Sequence, residues 1–573
     1  MAPNIWLEPQ QPNLSSNASF VEYLRWMRFL TGDGTVDSGT ILELFDRFRE
    51  TATFTEDLNR RCARIRRLAD ESFEASCPWR VRVGGTRGPE QMLLPAFDAL
   101  GLPYIPSSTL KGVARNAAAR EANEAEVKRI FGTIDGDTGS MGQVVFLDAY
   151  PTSDDRLGGL QLDMANQIWK WDGDSPPEYN TNPNTFVSLE KPTFVIGLRR
   201  GFNCDEQTFA RTVTWLKKGL IEGIGAQVNT GYGTLETEGV SSDRPIFRLL
   251  FDIEGQLIHG NQQFKGWNWS DDANTWKPPG QAIAELRPTA FRSVMRYWFR
   301  VFALGILSPR DVRDLELKIF GGIEPEAKTG LFRLELVPVE EIQKPSASES
   351  GRASGQLVFK RCQHASYQSS DAKQTPKKFE KDISIFLKKL TWLMFHLGGV
   401  GQGARRPCYD RRNRPRPPYW RGATLIPDHP SEMWQRPRNV TELKNSFRNN
   451  LRTFYKATLY LKGMQGNPRI PNLRSTDCAE VADENCRIVA VSGPVQNAKP
   501  FALWKLHEQA NLGNGQYDPE LCGSMGGPPS PIWIAKVDRL QVVTIFDITN
   551  GKRFDYFETL TSQPDAQILF PLG

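Results

Sequence analysis

Apolar positions recur at helical spacing in VEYLRWMRFL, ILELFDRF and LNRRCARIRRLADESF, which predicts helices across residues 19–75. WRVRVGG (79–85) alternates instead and reads as a strand ending in glycine. A helix is expected from Ser107 to Ala122, with Ser107 or Ser108 as its N-cap. GQVVFLDAY (142–150) reads as a strand, TFVSLEKPTFVIGLRR (185–200) as two short ones, and FARTVTWLKKGLIEGIG (209–225) as a helix entering a glycine loop. Further on, IFRLLFDIEGQLI (246–258) is a strand, 259–283 a long loop, Thr289–Leu304 a helix and TGLFRLELVPV (329–339) a strand. Residues 344–356 read as a Ser/Gly-rich loop, 379–399 as an amphipathic helix, 403–440 as an Arg/Pro-rich stretch without regular structure, and 441–461 as a helix. Strands return at SPIWIAKV (530–537) and LQVVTIFDI (540–548). Strands interleaved with few helices, in two halves, indicate an α+β class.

One pattern occurs twice. LPYIPSSTLKGVAR (102–115), the pair Phe131-Gly132 and the loop GIGAQVNTGYG (223–233) are matched by AELRPTAFRSVMRYWFR (284–300), FGG (320–322) and GGVGQGARR (398–406). Duplication of this kind predicts two related domains. The chemistry of each copy suits a phosphate backbone. A helix N-terminus offers unpaired N–H groups and partial positive charge, to which Ser107, Ser108 and Thr109 add hydroxyls. Lys111 and Arg115, four apart, share a face. In the second copy Arg287 and Thr289 open the helix, and Arg292, Arg296 and Arg300 form a basic stripe at i, i+4 and i+8. Unpaired, that stripe repels itself and calls for a polyanion; pairing with acids elsewhere in the chain is the other reading. In the loops, Gly223 and Gly225 would let backbone N–H groups approach a phosphate or base, with Tyr232 alongside, whereas a plain helix C-cap turn needs the same glycines. The segment RRPCYDRRNRPRPPYWRG (405–422) sets Arg405, Arg406, Arg411 and Arg412 among Tyr409, Tyr419 and Trp420, a mixture that fits single-stranded RNA.

Composition narrows the choice. The 573 residues are 39% hydrophobic with a net charge of +5, so local clustering rather than bulk charge carries the nucleic-acid argument. The eight cysteines form no CxxC pair, which argues against a zinc site or a disulfide framework, and Cys362 with His364 supplies only two ligands. No signal-peptide pattern and no long apolar run is present, so a cytoplasmic protein without membrane contact is expected. The five histidines show no triad order and no HExxH, and His396 reads as structural. Asp271 and Asp272, in the long loop before the second motif helix, are the candidate catalytic carboxylates; such a group would bind a metal ion or orient a 2′-hydroxyl for in-line attack.

LPYIPSSTLKGVAR, FG and GIGAQVNTGYG, in this order and spacing, resemble the hallmark motifs of the RAMP superfamily, the backbone and capping subunits of type III CRISPR effector complexes. Residues 1–242 look most like the sixth subunit of the Cmr-type complex, with an N-terminal helical extension. Residues 243–573 look like the first, through LRPTAFRSVMRYWFR, FGG, GVGQGARRPCYD and SPIWIAKV, with an Arg/Pro-rich insertion at 403–440. Ser107 stands where the family has glycine, Thr289 and Ala290 replace a Ser pair, Ser293 replaces glycine, and the second loop lacks its final GFG. The resemblance implies two tandem ferredoxin-like (RRM-type) domains with helical and loop insertions, and an RNA-binding subunit that caps the complex near the guide's 3′ end. The implied partners are crRNA, target RNA, the large polymerase-like subunit and other RAMP backbone subunits. No tightly bound cofactor and no resident metal is implied. Where cleaving relatives carry a loop Asp before the PYIP motif, this chain has RGPEQMLLPAF with Glu90, and Asp98 matches a turn-forming Asp instead, so no cleavage by the first domain is expected. The alternative reading is a target-RNA endonuclease subunit, with Mg²⁺ acting through Asp271 or Asp272.

Overall fold

The computed structural model describes residues 54–572, apart from 85–93, 136–137, 154–158, 172–174, 176, 241–243, 265–267, 271–274, 278–279, 323–327, 363–375, 402, 412–417, 465, 477, 525–526 and 550. Helix α1 (Thr55–Leu68) buries Leu58, Cys62 and Ile65 on one side. It stops earlier than its pattern predicts, because ESFEAS alternates and pairs edge-on as strand β1 (Glu71–Ser76). There follow β2 (Arg80–Val81), α2 (Ser107–Ala118), α3 (Glu124–Phe131), β3 (Val144–Phe146), β4 (Leu160–Lys170), β5 (Glu178–Glu190), β6 (Thr193–Arg200) and α4 (Glu206–Glu222). Asp205 caps α4 by accepting from the Thr208 N–H at 2.8 Å.

β6 pairs antiparallel with β1 on one side and β3 on the other, and an antiparallel bridge from Ser76 to Glu236 sets the last extended segment on the far edge of β1. The spatial order is therefore second, third, first, last, the ferredoxin-like arrangement of a βαββαβ chain. Inserted between β3 and β6, the long hairpin β4–β5 forms a separate sheet with β2.

The same order recurs twice more. β7 (Phe247–Gly255), α5 (Pro288–Leu304), α6 (Pro309–Phe320), β8 (Phe332–Pro338), β9 (Gly351–Arg361), α7 (Pro376–Leu397), β10 (Tyr409–Asp410), β11 (Trp420–Arg421) and β12 (Ala423–Asp428) contain a sheet ordered β8-β9-β7-β12. After α8 (Val440–Lys462) come β13 (Arg487–Val491), α9 (Phe501–Gln509), β14 (Ile532–Val537), β15 (Leu540–Ile545), α10 (Lys552–Thr561) and β16 (Gln567–Phe570), whose sheet runs β14-β15-β13-β16. The α+β class and the ferredoxin-like sheet order are thus present, and residues 243–573 hold two such sheets where the duplicated motif marks one.

Successive residues of a strand face opposite sides, and the third sheet uses both. Ile488, Ala490, Trp533, Ala535 and Val542 join the core around α5, α7 and α8. Their neighbours Val489, Val491, Ile532, Ile534 and Val543 pack with Phe501, Leu506 and Tyr556 of α9 and α10. That double burial explains why these strands read as nearly continuous apolar runs. The two FG pairs are punctuation: Phe131 and Phe320 are buried at the ends of α3 and α6, and Gly132 and Gly321 turn the chain at φ +76° and +75°.

Three stretches expected to be loops contain strands. Residues 259–264 and 280–284 pair as a hairpin, β9 begins inside the Ser/Gly-rich segment, and β12 arises within the Arg/Pro-rich one. Among the described residues β12 is an edge strand paired with β7 alone, a position where Pro427 is tolerated.

Candidate nucleic-acid interface

The first motif helix is built much as its sequence suggests, with one change. Pro106, not a serine, is the N-cap of α2, and neither Ser107 nor Ser108 caps through its side chain. Asp148 does that work from the following strand region, accepting from the Ser107 N–H at 2.7 Å. A carboxylate therefore already occupies part of the positive helix end. Leu110, Ala114 and Ala117 face the core, which leaves Ser108 and Arg115 exposed and Thr109 and Lys111 half-buried. Lys111 and Arg115 have no acidic partner among the described residues. Asp98 forms a turn, accepting from the N–H groups of Leu100 and Leu102 at 2.9 Å each.

The first glycine loop lies in a joint between the first two units. Gly223 ends α4, and Gly225 sits at φ +74°, where an added Cβ would collide with the Arg82 carbonyl. Tyr232 is fully buried and donates its hydroxyl proton to Asp163 Oδ2 at 2.5 Å. Asn229 Nδ2 donates to the Phe332 carbonyl at 2.8 Å, and Arg333 Nη1 returns the contact to the Glu222 carbonyl at 2.6 Å. Asp163 of β4 is the hub: Arg80 Nη1 lies 3.1 Å from Oδ2, and Arg287 of the second unit pairs with Oδ1 and donates to the Met164 carbonyl at 2.7 Å. Glu285 pairs with Arg80. Burial pushes the Glu285 carboxyl up to about 7, against the pull of Arg80 and Arg287. Of the residues expected to meet RNA, Arg287 spans the joint and Tyr232 is buried behind it on Asp163, while Gly223 and Gly225 shape the loop within the first unit, where Gly225 is exposed.

The second motif helix departs further from expectation. α5 is apolar nearly all round, with Phe291, Tyr297, Trp298, Phe299, Val301 and Phe302 buried, so it runs through the core rather than along the surface. Its arginine stripe is paired internally. Arg296 Nε and Arg300 Nε donate to the two oxygens of Glu316 at 2.6 Å each, Trp171 Nε1 adds a bond to Oε2 at 3.0 Å, and Arg292 donates to the Phe320 carbonyl. Burial opposes ionisation of Glu316, but Arg296 and Arg300 outweigh it and hold the carboxyl down at about 2. Thr289 is half-buried in the first turn of α5. The partner, 16 residues beyond Arg300 on the next helix, is the feature that the stripe alone does not reveal.

Within the Arg-rich segment, Arg405 Nη1 donates to Glu480 Oε1 at 2.7 Å and its guanidinium lies 4.8 Å from the Trp533 ring centre. Arg406 donates to Ser530 Oγ at 2.8 Å and to the Ile532 carbonyl. Both anchor the second glycine loop to β14. Tyr409 is buried in the third unit's core, and Arg411 is half-buried beside it. Arg412, Asp271, Asp272, Glu90 and His364 lie outside the described residues. His396 is buried against Trp392, with ring centres 3.7 Å apart, and burial pushes its imidazolium down to about 4. Among the described residues no three potential metal ligands cluster, and no helix is long and apolar enough to cross a membrane.

Residues 72–236 match the family model described as RAMP superfamily. The matched span runs from β1 to the bridge at Glu236. No curated protein matches the chain. Among solved structures, the chain is similar to one in the cryo-EM structure of the type III-B Cmr-beta bound to cognate target RNA, at 21% identity and a TM-score of 0.29, covering 38% of this chain and 80% of that one. It is also similar to the crystal structure of Cmr6 from Pyrococcus furiosus, at 20% identity and a TM-score of 0.21, covering 29% and 96% respectively.

Proposed function

We propose that this chain, which carries a RAMP-superfamily domain over residues 72–236, is an RNA-binding capping subunit of a type III CRISPR effector complex, holding crRNA and target RNA near the guide's 3′ end. The observation that carries the reading is that the family match coincides with one complete βαββαβ unit whose first helix is α2. That helix exposes Ser108 and Arg115 and leaves Lys111 half-buried beside them, without an internal acid to neutralise the two cations. Cations at i and i+4 on an exposed helix reach successive phosphates of an extended strand. The buried members of the second motif are left out of the interface: α5 positions β8 and β9, and its arginines serve Glu316. Sequence selection would come from pairing between guide and target, while the protein grips the backbone.

The test is to express the chain with its genomic neighbours, purify the assembly and sequence the bound RNA. Guide RNAs with repeat-derived 5′ ends, bound together with the large subunit and other backbone subunits, are expected. A chain that purifies alone, with no RNA or with unrelated RNA, would overturn the reading. Adding a labelled complementary target with Mg²⁺ to the same assembly tests the nuclease role. Loss of a product on Asp271→Asn with Asp272→Asn would make this subunit a target-cleaving one.

A further inference from the structure

The ribbon β10–β11 delivers basic residues to the third unit. Tyr409 pairs across from Arg421, Asp410 across from Trp420, and the Arg411 N–H donates to the Tyr419 carbonyl at 2.6 Å, which extends the ribbon by one step. Tyr409 is the anchor: its ring is buried with the residues of α9, and its edge meets the His507 ring at 6.0 Å. His507 sits in the last turn of α9, and Lys499 stands just before that helix's Pro500 N-cap. Tyr517, 43% exposed, closes the other side with its ring centre 5.0 Å from that of His507.

The resulting basin is unbalanced in charge. Neither Lys499 nor Arg421 has an acidic partner among the described residues. Arg406, behind them, spends its donors on Ser530 and Ile532. Asp518, the acid at the foot of the following turn, is taken by Lys552. His507 Nδ1 is buried without a hydrogen-bond partner among the described residues. Burial first, and then Lys499, Arg406, Arg411 and Arg421 together, push its imidazolium down to about 3. Like charges gathered around a buried, unsatisfied polar atom are costly unless an anion joins them.

We infer that this basin is an RNA phosphate site, in which Lys499 and Arg421 hold one phosphate beside His507 and Tyr517 stacks on the adjoining base. The inference rests on the RNA-binding reading above and deepens it, because it adds a contact on a unit that neither motif copy marks. A phosphate supplies the missing negative charge, and an exposed tyrosine beside it is what a single-stranded base accepts as a platform.

The test is a fluorescence-anisotropy titration of the full chain with a labelled single-stranded oligoribonucleotide over a range of salt, for the wild type, Lys499→Gln/Arg421→Gln, Tyr517→Ala and, separately, Lys111→Ala/Arg115→Ala. The Lys499/Arg421 variant is expected to lower the slope of log K against log salt by about 0.7, one single-strand phosphate. Tyr517→Ala is expected to weaken binding about tenfold, the scale of one lost stack. Unchanged thermal unfolding of these variants rules out misfolding as the cause. If the wild type binds but both basin variants match it while the α2 variant does not, the basin is no RNA site and the wider reading survives. If the wild type binds no RNA, the wider reading fails and this inference with it. A rise in the His507 pKa on adding inorganic phosphate, followed by NMR, with RNA affinity unchanged in the variants, would identify a free-anion site and overturn the proposal.

Discussion

Glu316 and Asp163 each hold two buried or half-buried arginines. Removing one partner of a buried pair leaves uncompensated charge, so Glu316→Ala should cost about 3–5 kcal/mol in urea unfolding. The pH dependence follows from the direction of the shift. The Glu316 carboxyl is held at about 2 in the folded chain against 4.5 ordinarily, so its contribution is complete above about 4.5 and disappears as pH falls through 2. Unfolding midpoints measured between pH 5 and pH 2 should fall steeply in the wild type and less so in Glu316→Gln. Asp163→Asn, which leaves Arg80 and Arg287 facing a neutral amide, should expose the joint between the first two units to limited proteolysis near the Gly223–Gly233 loop, with little effect on the third unit.

At the scale of elements, two helices that share a motif have opposite fates. α2 keeps small or branched apolar residues on one side and leaves Lys111 half-buried and Arg115 exposed on another. In α5 aromatic and aliphatic residues fill the positions between the arginines, so the helix is buried and its cations are drawn into the core with it. Lys111→Ala with Arg115→Ala should therefore lower the salt slope of RNA binding by about 1.4 while leaving unfolding unchanged. Arg300→Ala should do the reverse, destabilising the chain without changing the slope. Much of this was legible in the sequence: the helices at 107–118, 288–304 and 440–462 and the strands at 247–255, 532–537 and 540–545 follow their hydrophobic patterns. The pairing of Arg296 and Arg300 with Glu316 was not, because Glu316 sits on another helix and nothing in the spacing of either segment brings them together. The strands hidden in low-complexity stretches were missed for a related reason: β9 is held extended between β8 and β7, and β12 along the outer side of β7, by partners distant in sequence.

On the scale of the whole molecule, three sheets of one order are linked through shared cores and the Asp163 joint. Because Asn229, Arg333, Arg287 and Trp171 all reach across between the first two units, residues 1–242 and 243–573 produced as separate chains should copurify. Asp163→Asn combined with Arg333→Ala should separate them on size exclusion.

The sequence by itself determined most of the elements, the duplicated motif with its resemblance to RNA-binding subunits, and that Lys111 and Arg115 share one face of α2, because periodicity and local charge are properties of short segments. Only the tertiary structure decided that the second arginine stripe and the first glycine loop are internal, that a third unit of the same order exists, and that His507 and Tyr517 pack beside the ribbon that carries Arg421. Each of those depends on partners brought together from distant parts of the chain. A cation's role turns on whether a carboxylate or solvent lies opposite it, and that neighbour is chosen by packing.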